Sequence, residues 1–294
     1  MTVDTQPAAV APVGTEPPAA GPRLLHIPLA TFSAILAAVL AVASYFGPAA
    51  MIGAIAIVQA VLVVTWVFGT ALPGRIGALI LGVSASGAGD FVATRYHSDG
   101  YAPLLGVLGV GIPLMFVHQL TRGVVRTRVV ESLADITVLV VACVATTGFI
   151  LLRYQSNGDR TTLAVASAVG IALVVGHLAD AVAPVLRFDP VVDRGLPAVI
   201  LGVLAAAAAA LLVLRSLIDF AAGRGAFVGA ALGAVACLLS IGASFAGAQS
   251  TVGRAGQRSR LSRACRPFSE VALTICLTAP AGYVLINALS SNLS

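Results

Sequence analysis

PLATFSAILAAVLAVASYFGPAAMIGAIAIVQAVLVVTWVFG, residues 28 to 69, contains no charged side chain. A helix needs about 20 predominantly apolar residues to cross the hydrocarbon core of a bilayer. This run is long enough for two crossings, placed at 28–46 and 49–69. Seven more apolar stretches follow, at 76–94, 101–121, 135–152, 162–186, 196–214, 226–250 and 268–289. Composition agrees: 59% of the 294 residues are apolar, 10% are charged and the mean hydropathy is +1.00. A soluble domain carries about a quarter charged residues. The expected fold is all-α, a polytopic bundle of nine transmembrane helices forming a single domain over residues 28–294.

Residues 1–27 are rich in Ala, Pro, Thr and Gly, cannot build a core, and read as a disordered cytoplasmic tail. Ala41-Val42-Ala43 resembles a signal-peptide cleavage site. The second span begins almost at once, which favours an uncleaved helix. No segment is left for a folded extramembrane domain, so any chemistry comes from helix ends, short loops or polar groups inside the bundle. Pro73, Pro103, Pro197 and Pro267 fall near expected helix starts, where a missing N–H costs little. Pro113 and Pro280 fall inside spans, where a bundle tolerates the kink.

All 17 basic residues are arginine. A mechanism that needs a lysine Schiff base is therefore excluded, because arginine does not lose its proton. A pI of about 9.4 would suggest nucleic acid in a soluble protein, but here the arginines sit in loops and set orientation, so no nucleic-acid partner is expected. With the tail inside and the spans alternating, twelve arginines fall inside and five outside. The inside set is Arg23, Arg75, Arg122, Arg126, Arg128, Arg187, Arg194, Arg254, Arg258, Arg260, Arg263 and Arg266. The outside set is Arg95, Arg153, Arg160, Arg215 and Arg224. The positive-inside bias then predicts a cytoplasmic N-terminus and an external C-terminus in a bacterial-type inner membrane. Cys143, Cys237, Cys265 and Cys276 show no metal-ligand spacing and read as small core residues.

Ionisable residues within spans are costly and are functional candidates by default. His177 and Asp180 lie three apart, on one face of the sixth span. With His118 near the cytoplasmic end of the fourth, and Arg187, Asp189, Asp193 and Arg194 in the following loop, they gather at the inner end. His118, His177, Asp180, Asp189 and Asp193 are the candidate ligand or metal residues. Arg187, Arg194, Arg254, Arg258, Arg260, Arg263 and Arg266 are candidates for phosphate or lipid headgroups, at about 1 kcal/mol each near an anionic surface. The bland alternative pairs Asp180 and His177 with each other or with a neighbouring helix. Asp90 reads as a proton or ion relay, or as a partner of Arg95. Arg215 and Asp219 form a surface pair, and Glu131 and Asp135 sit at the favourable dipole end of the fifth span. Gly225, Gly229 and Gly233 make a smooth strip for close packing, within the chain or against a second copy or another membrane protein. The run Ala205 to Ala210 suits the same purpose. No Walker loop, Gly-x-Ser-x-Gly elbow or His-Glu-x-x-His is present.

Gly176-His177-Leu178-Ala179-Asp180-Ala181, Ile241-Gly242-Ala243-Ser244-Phe245, the basic run Arg254 to Arg266 with Pro267, and Ala279-Pro280 with Tyr283 give the second half the layout of a family. Over Glu131 to Leu289 it resembles the CDP-diglyceride synthetases, or phosphatidate cytidylyltransferases. That resemblance implies a polytopic enzyme moving CMP from CTP to phosphatidate with a divalent metal such as Mg2+ at a cytoplasm-facing site, with Asp180 carried over. Departures are large. Ala243 stands where an aspartate at the metal is expected, and the His-Gly-Gly and following Asp-Arg elements are missing. One carboxylate cannot carry metal-assisted phosphoryl transfer. The resemblance therefore implies a weakly active or inactive relative acting near anionic phospholipid. A small-molecule or ion transporter using Asp90, Asp180 and His177 is the alternative, and a structural assembly partner is the third.

Overall fold

A computed structural model describes residues 25–122, 128–182, 194–215, 222–249 and 259–291. Among these residues nine helices are long and apolar enough to cross a membrane. The protein is an all-α, multi-pass membrane bundle, as the apolar runs predict. Helix α1 (His26–Tyr45) meets α2 (Pro48–Gly69) across a tight turn at Gly47, whose φ of +95° suits glycine. α3 (Arg75–Arg95) and α4 (Ala102–Thr121) follow. The fifth span is broken into α5 (Val129–Thr146) and α6 (Gly148–Arg153). Then come α7 (Gly158–Val182), α8 (Leu196–Leu214), α9 (Ala222–Gln249) and α10 (Arg260–Ser291).

Two helix starts differ from expectation. α5 begins at Val129 rather than near 135, and α10 at Arg260 rather than near 268. The extra turns carry Glu131 and Arg260, Arg263 and Arg266, so hydropathy falls before the helix ends. Pro267 accordingly lies inside α10, not at its start. Pro103 and Pro197 do sit in the first turns of α4 and α8.

Lipid tails are as apolar as leucine, so packing and hydrogen bonds hold such helices together. Small residues let backbones touch. A Cβ on Gly170 would meet the Ala37 Cβ of α1, and one on Gly202 would lie 2.9 Å from the Ala172 carbonyl of α7. Gly229 leaves no room for a Cβ against the Ala206 carbonyl of α8, and Gly233 is tight against Val203 and Ala206. The glycine strip is thus filled within the chain by the alanine run. Hydroxyls in the spans bond back to preceding carbonyls, as Ser33 does to Leu29, Ser86 to Gly82 and Thr146 to Ala142. α1, α7, α8 and α9 pack as one group, α2 to α6 as another, and α10 joins them through α2, α5 and α9.

The fifth span is the most buried. At its break the Thr147 N–H bonds the Val144 carbonyl at 3.2 Å and the Thr147 hydroxyl bonds the same oxygen. The Tyr101 hydroxyl donates to the Ala145 carbonyl and lies against Gly148, where a side chain would collide with it. The Tyr283 ring packs edge-on beside Tyr101, with centroids 5.3 Å apart.

Contacts fix the alternation of the helices. One end gathers His26, Gly69, Arg75, Thr121, Glu131, Asp180, Arg194, Ser244 and Arg266: Ser262 bonds the Gly69 carbonyl, Trp66 bonds the Asp135 carbonyl, and Gln119 bonds Ser132. The other end gathers the starts of α4, α7 and α9, with Tyr101 against Tyr283 and Gly225 against Leu211 and Leu214. The start of α1 and the end of α10 therefore lie at opposite ends of the bundle.

Candidate functional site

His177 and Asp180 occupy successive turns of α7, and the chain re-enters the bundle at Arg194, immediately before α8. Arg194 is 6% exposed. Its Nη1 donates to Asp180 Oδ2 at 3.2 Å, and its Nη2 reaches His177 Nε2 at 2.9 Å and the Ser240 hydroxyl of α9. The Gly195 N–H donates to the other Asp180 oxygen at 2.9 Å. Arginine only donates, so His177 Nε2 accepts. That places the His177 ring proton on Nδ1, which faces His26 Nδ1 at 3.4 Å. Five side chains from α1, α7, α9 and the start of α8 thus close a buried polar node. Each oxygen of the Asp180 carboxylate thus accepts from a donor of the chain itself.

The sequence-predicted cluster is only partly assembled. His177, Asp180 and Arg194 come together. His118 does not join them: it lies on α4 against Gly77 of α3 and Gly74 just before that helix, with Arg122 beside it. Arg187, Asp189, Asp193, Arg254 and Arg258 lie outside the described residues, as does Asp219. Among the described residues no three His, Cys, Asp or Glu side chains converge to hold a metal ion. Arg194 spends its guanidinium on Asp180, His177 and Ser240 rather than presenting it to a headgroup.

A larger feature lies beside this node, at the same end. α5 and α9 both pack on α10 but scarcely on each other. Between them runs a lateral groove of about 750 Å³, floored by α10 and closed at its end by Trp66, Gly69 and Thr70 of α2. Its lining is graded. On α10 the face reads Arg266, Ser269, Glu270, Leu273, Leu277; on α5 it reads Glu131, Ala134, Asp135, Val138; on α9 it reads Ala246, Ala243, Gly242, Leu239, Leu238. Each is an i, i+3, i+4, i+7 stripe, charged or small at the helix end and apolar toward the middle of the bundle. Arg266 Nε lies 3.4 Å from Glu270, and Ser244 donates to Glu270 at 3.0 Å. Glu131 pairs with Arg128 at 2.6 Å. Arg260 and Arg263 stand exposed on the preceding turns of α10. From Arg266 to Leu277 the groove runs about 16 Å along the helix axis, the depth of one leaflet's hydrocarbon.

Asp90 is held not by Arg95 but by Gln59 of α2, whose Nε2 donates to it at 3.0 Å and to the Cys143 carbonyl at 3.1 Å.

Several of these residues carried little signal in the sequence. Gln59 is the one amide in an otherwise apolar second span, a signal that was available. His26 reads from sequence as part of the tail, yet it opens α1 and is 9% exposed. Glu270, Ser240 and Ser244 sit in turns that hydropathy reads as ordinary span. No family model, curated protein or solved structure matches this chain.

Proposed function

We propose that this membrane protein binds a phospholipid in the lateral groove between α5 and α9, at the cytoplasmic face of a bacterial-type inner membrane. The observation that supports it is the graded lining. A leaflet-deep slot runs from Arg266, Glu270 and Asp135 to Leu238, Leu273 and Leu277, which suits one molecule with a charged head and an acyl tail. Arg260, Arg263 and Arg266 follow one another along the first turns of α10, at its positive dipole end, which favours an anionic phosphate. The positive-inside bias supports a cytoplasmic position for this end. A kinship to the phosphatidate cytidylyltransferases would fit the same reading as a lipid-binding relative without nucleotidyl transfer, since Asp180, the carboxylate that the resemblance carries over, is engaged by Arg194 and Gly195.

The test is capture. A photoactivatable phosphatidic acid in native-like vesicles should cross-link to α9 near Gly242 and to α10 near Leu273. Gly242→Phe, which fills the slot, should reduce the yield several-fold, and Arg263→Ala with Arg260→Ala should reduce it for anionic lipid. Cross-linking spread evenly over the lipid-facing helices, α4 and α8 included, would remove the reading. Transport is the second reading, supported by the Asp90–Gln59 pair; flux that survives Asp90→Asn would dismiss that residue as its carrier.

A further inference from the structure

Gln59 lies in the middle of α2 and is 1% exposed. Both of its amide protons are used, on Asp90 Oδ1 at 3.0 Å and on the Cys143 carbonyl at 3.1 Å. Its carbonyl oxygen, Oε1, is buried with no hydrogen-bond partner among the described residues. A buried acceptor left unmade loses its hydration with nothing in return. Turning the amide over does not help, because Oε1 would then face the Cys143 carbonyl, acceptor against acceptor.

The neighbouring hydroxyls are already committed. The Ser86 hydroxyl, one turn before Asp90 on α3, bonds the Gly82 carbonyl, and the Thr94 hydroxyl bonds the Asp90 carbonyl. α5 brings the buried Cys143. From α4, Tyr101 is spent on the Ala145 carbonyl and His118 lies against Gly77, toward the opposite end. His97 stacks on Tyr154 and bonds the Thr94 carbonyl. Among the described residues Asp90 has no ion pair, with Arg95 on its own helix and Arg153 at the end of α6 included.

A carboxylic acid and a primary amide satisfy each other through two hydrogen bonds. The amide N–H donates to one carboxyl oxygen, and the acid O–H donates to the amide oxygen. The first of these is present. The second would need one proton, on Asp90 Oδ2, and Gln59 Oε1 has no other partner among the described residues. We propose that Asp90 is a proton-binding site inside the bundle, occupied at neutral pH, with the bound proton shared with Gln59. One proton completes all three bonding positions of the amide and removes an unpaired charge from a lipid-embedded helix. The ligand class is the proton itself. This site is independent of the groove and of what the groove binds.

Infrared difference spectra of the full chain in lipid, wild type minus Asp90→Asn, test it. At neutral pH they should show a protonated-carboxyl C=O band that shifts in D2O and is absent from the variant. In Gln59→Leu the band should move to higher frequency as the acid loses its amide partner. Dicyclohexylcarbodiimide, which modifies protonated carboxyls in lipid, should leave an adduct on the Asp90 peptide of the wild type at neutral pH and not at strongly alkaline pH. That mapping stands alone if Asp90→Asn does not fold. Ionised carboxylate at neutral pH, a band unmoved by Gln59→Leu, or no Asp90 adduct at neutral pH would each overturn the proposal.

Discussion

At Arg194 one guanidinium ties α7 to α9 at the foot of α8. Two charges taken out of water gain little over an apolar replacement of the same shape, but removing one of them strands the other. Arg194→Met should therefore lower stability by about 3–5 kcal/mol, seen as an earlier thermal transition in detergent. Adding Asp180→Asn should restore much of the loss. A single variant that melts with the wild type would mean that the node holds nothing. The sequence shows half of this arrangement. His177 and Asp180 at i, i+3 mark a polar face in an apolar span, and one of the two weighed readings is the pairing seen here. Arg194 reads from sequence as a loop residue facing lipid phosphate, because hydropathy has no means of telling a loop arginine that turns outward from one that folds back under a neighbouring helix.

Among the elements, α8 and α9 approach closely, and their partnership is legible from spacing: Gly225, Gly229 and Gly233 leave a strip, and Ala205 to Ala210 offers small side chains to fill it. Gly229→Leu should separate the two helices and cost about 1–3 kcal/mol or more, since the obstacle is the Ala206 backbone rather than a movable side chain. Gly53→Ala, with nothing within 4 Å of the added Cβ, should leave the melting temperature unchanged. Equal effects from both substitutions would contradict the packing described. The groove was not legible in the same way. Each of its three stripes has the spacing of any buried helical face. Only the failure of α5 and α9 to meet across α10 turns three packing faces into a lining. Likewise the break at Thr147 carries no proline, and its signal lies in Tyr101, which reaches it from another helix.

At the scale of the molecule, nine apolar helices among the described residues alternate in direction, with seven of the described arginines at one end and five at the other. The number of crossings could be read from the chain alone, because each backbone N–H and C=O in hydrocarbon must find a partner, and only a helix provides one within the segment. Which face of each helix turns inward was mostly beyond reach: Ala- and Gly-rich spans have nearly uniform sides, so the polar residues had to wait for their neighbours to be known. The groove's place in one leaflet follows from the alternation, since an even number of crossings would fold α10 the other way and carry Arg266 and Glu270 to the opposite surface. Site-directed labelling decides this most directly. Ser259→Cys, at the foot of α10, and Ser291→Cys, at its far end, would be treated with an impermeant maleimide in right-side-out and inverted vesicles, on a background with the four native cysteines replaced by alanine or serine. Ser259→Cys should react only in inverted vesicles and Ser291→Cys only in right-side-out ones; reaction of both from the same side would contradict the bundle, the groove and its lipid together.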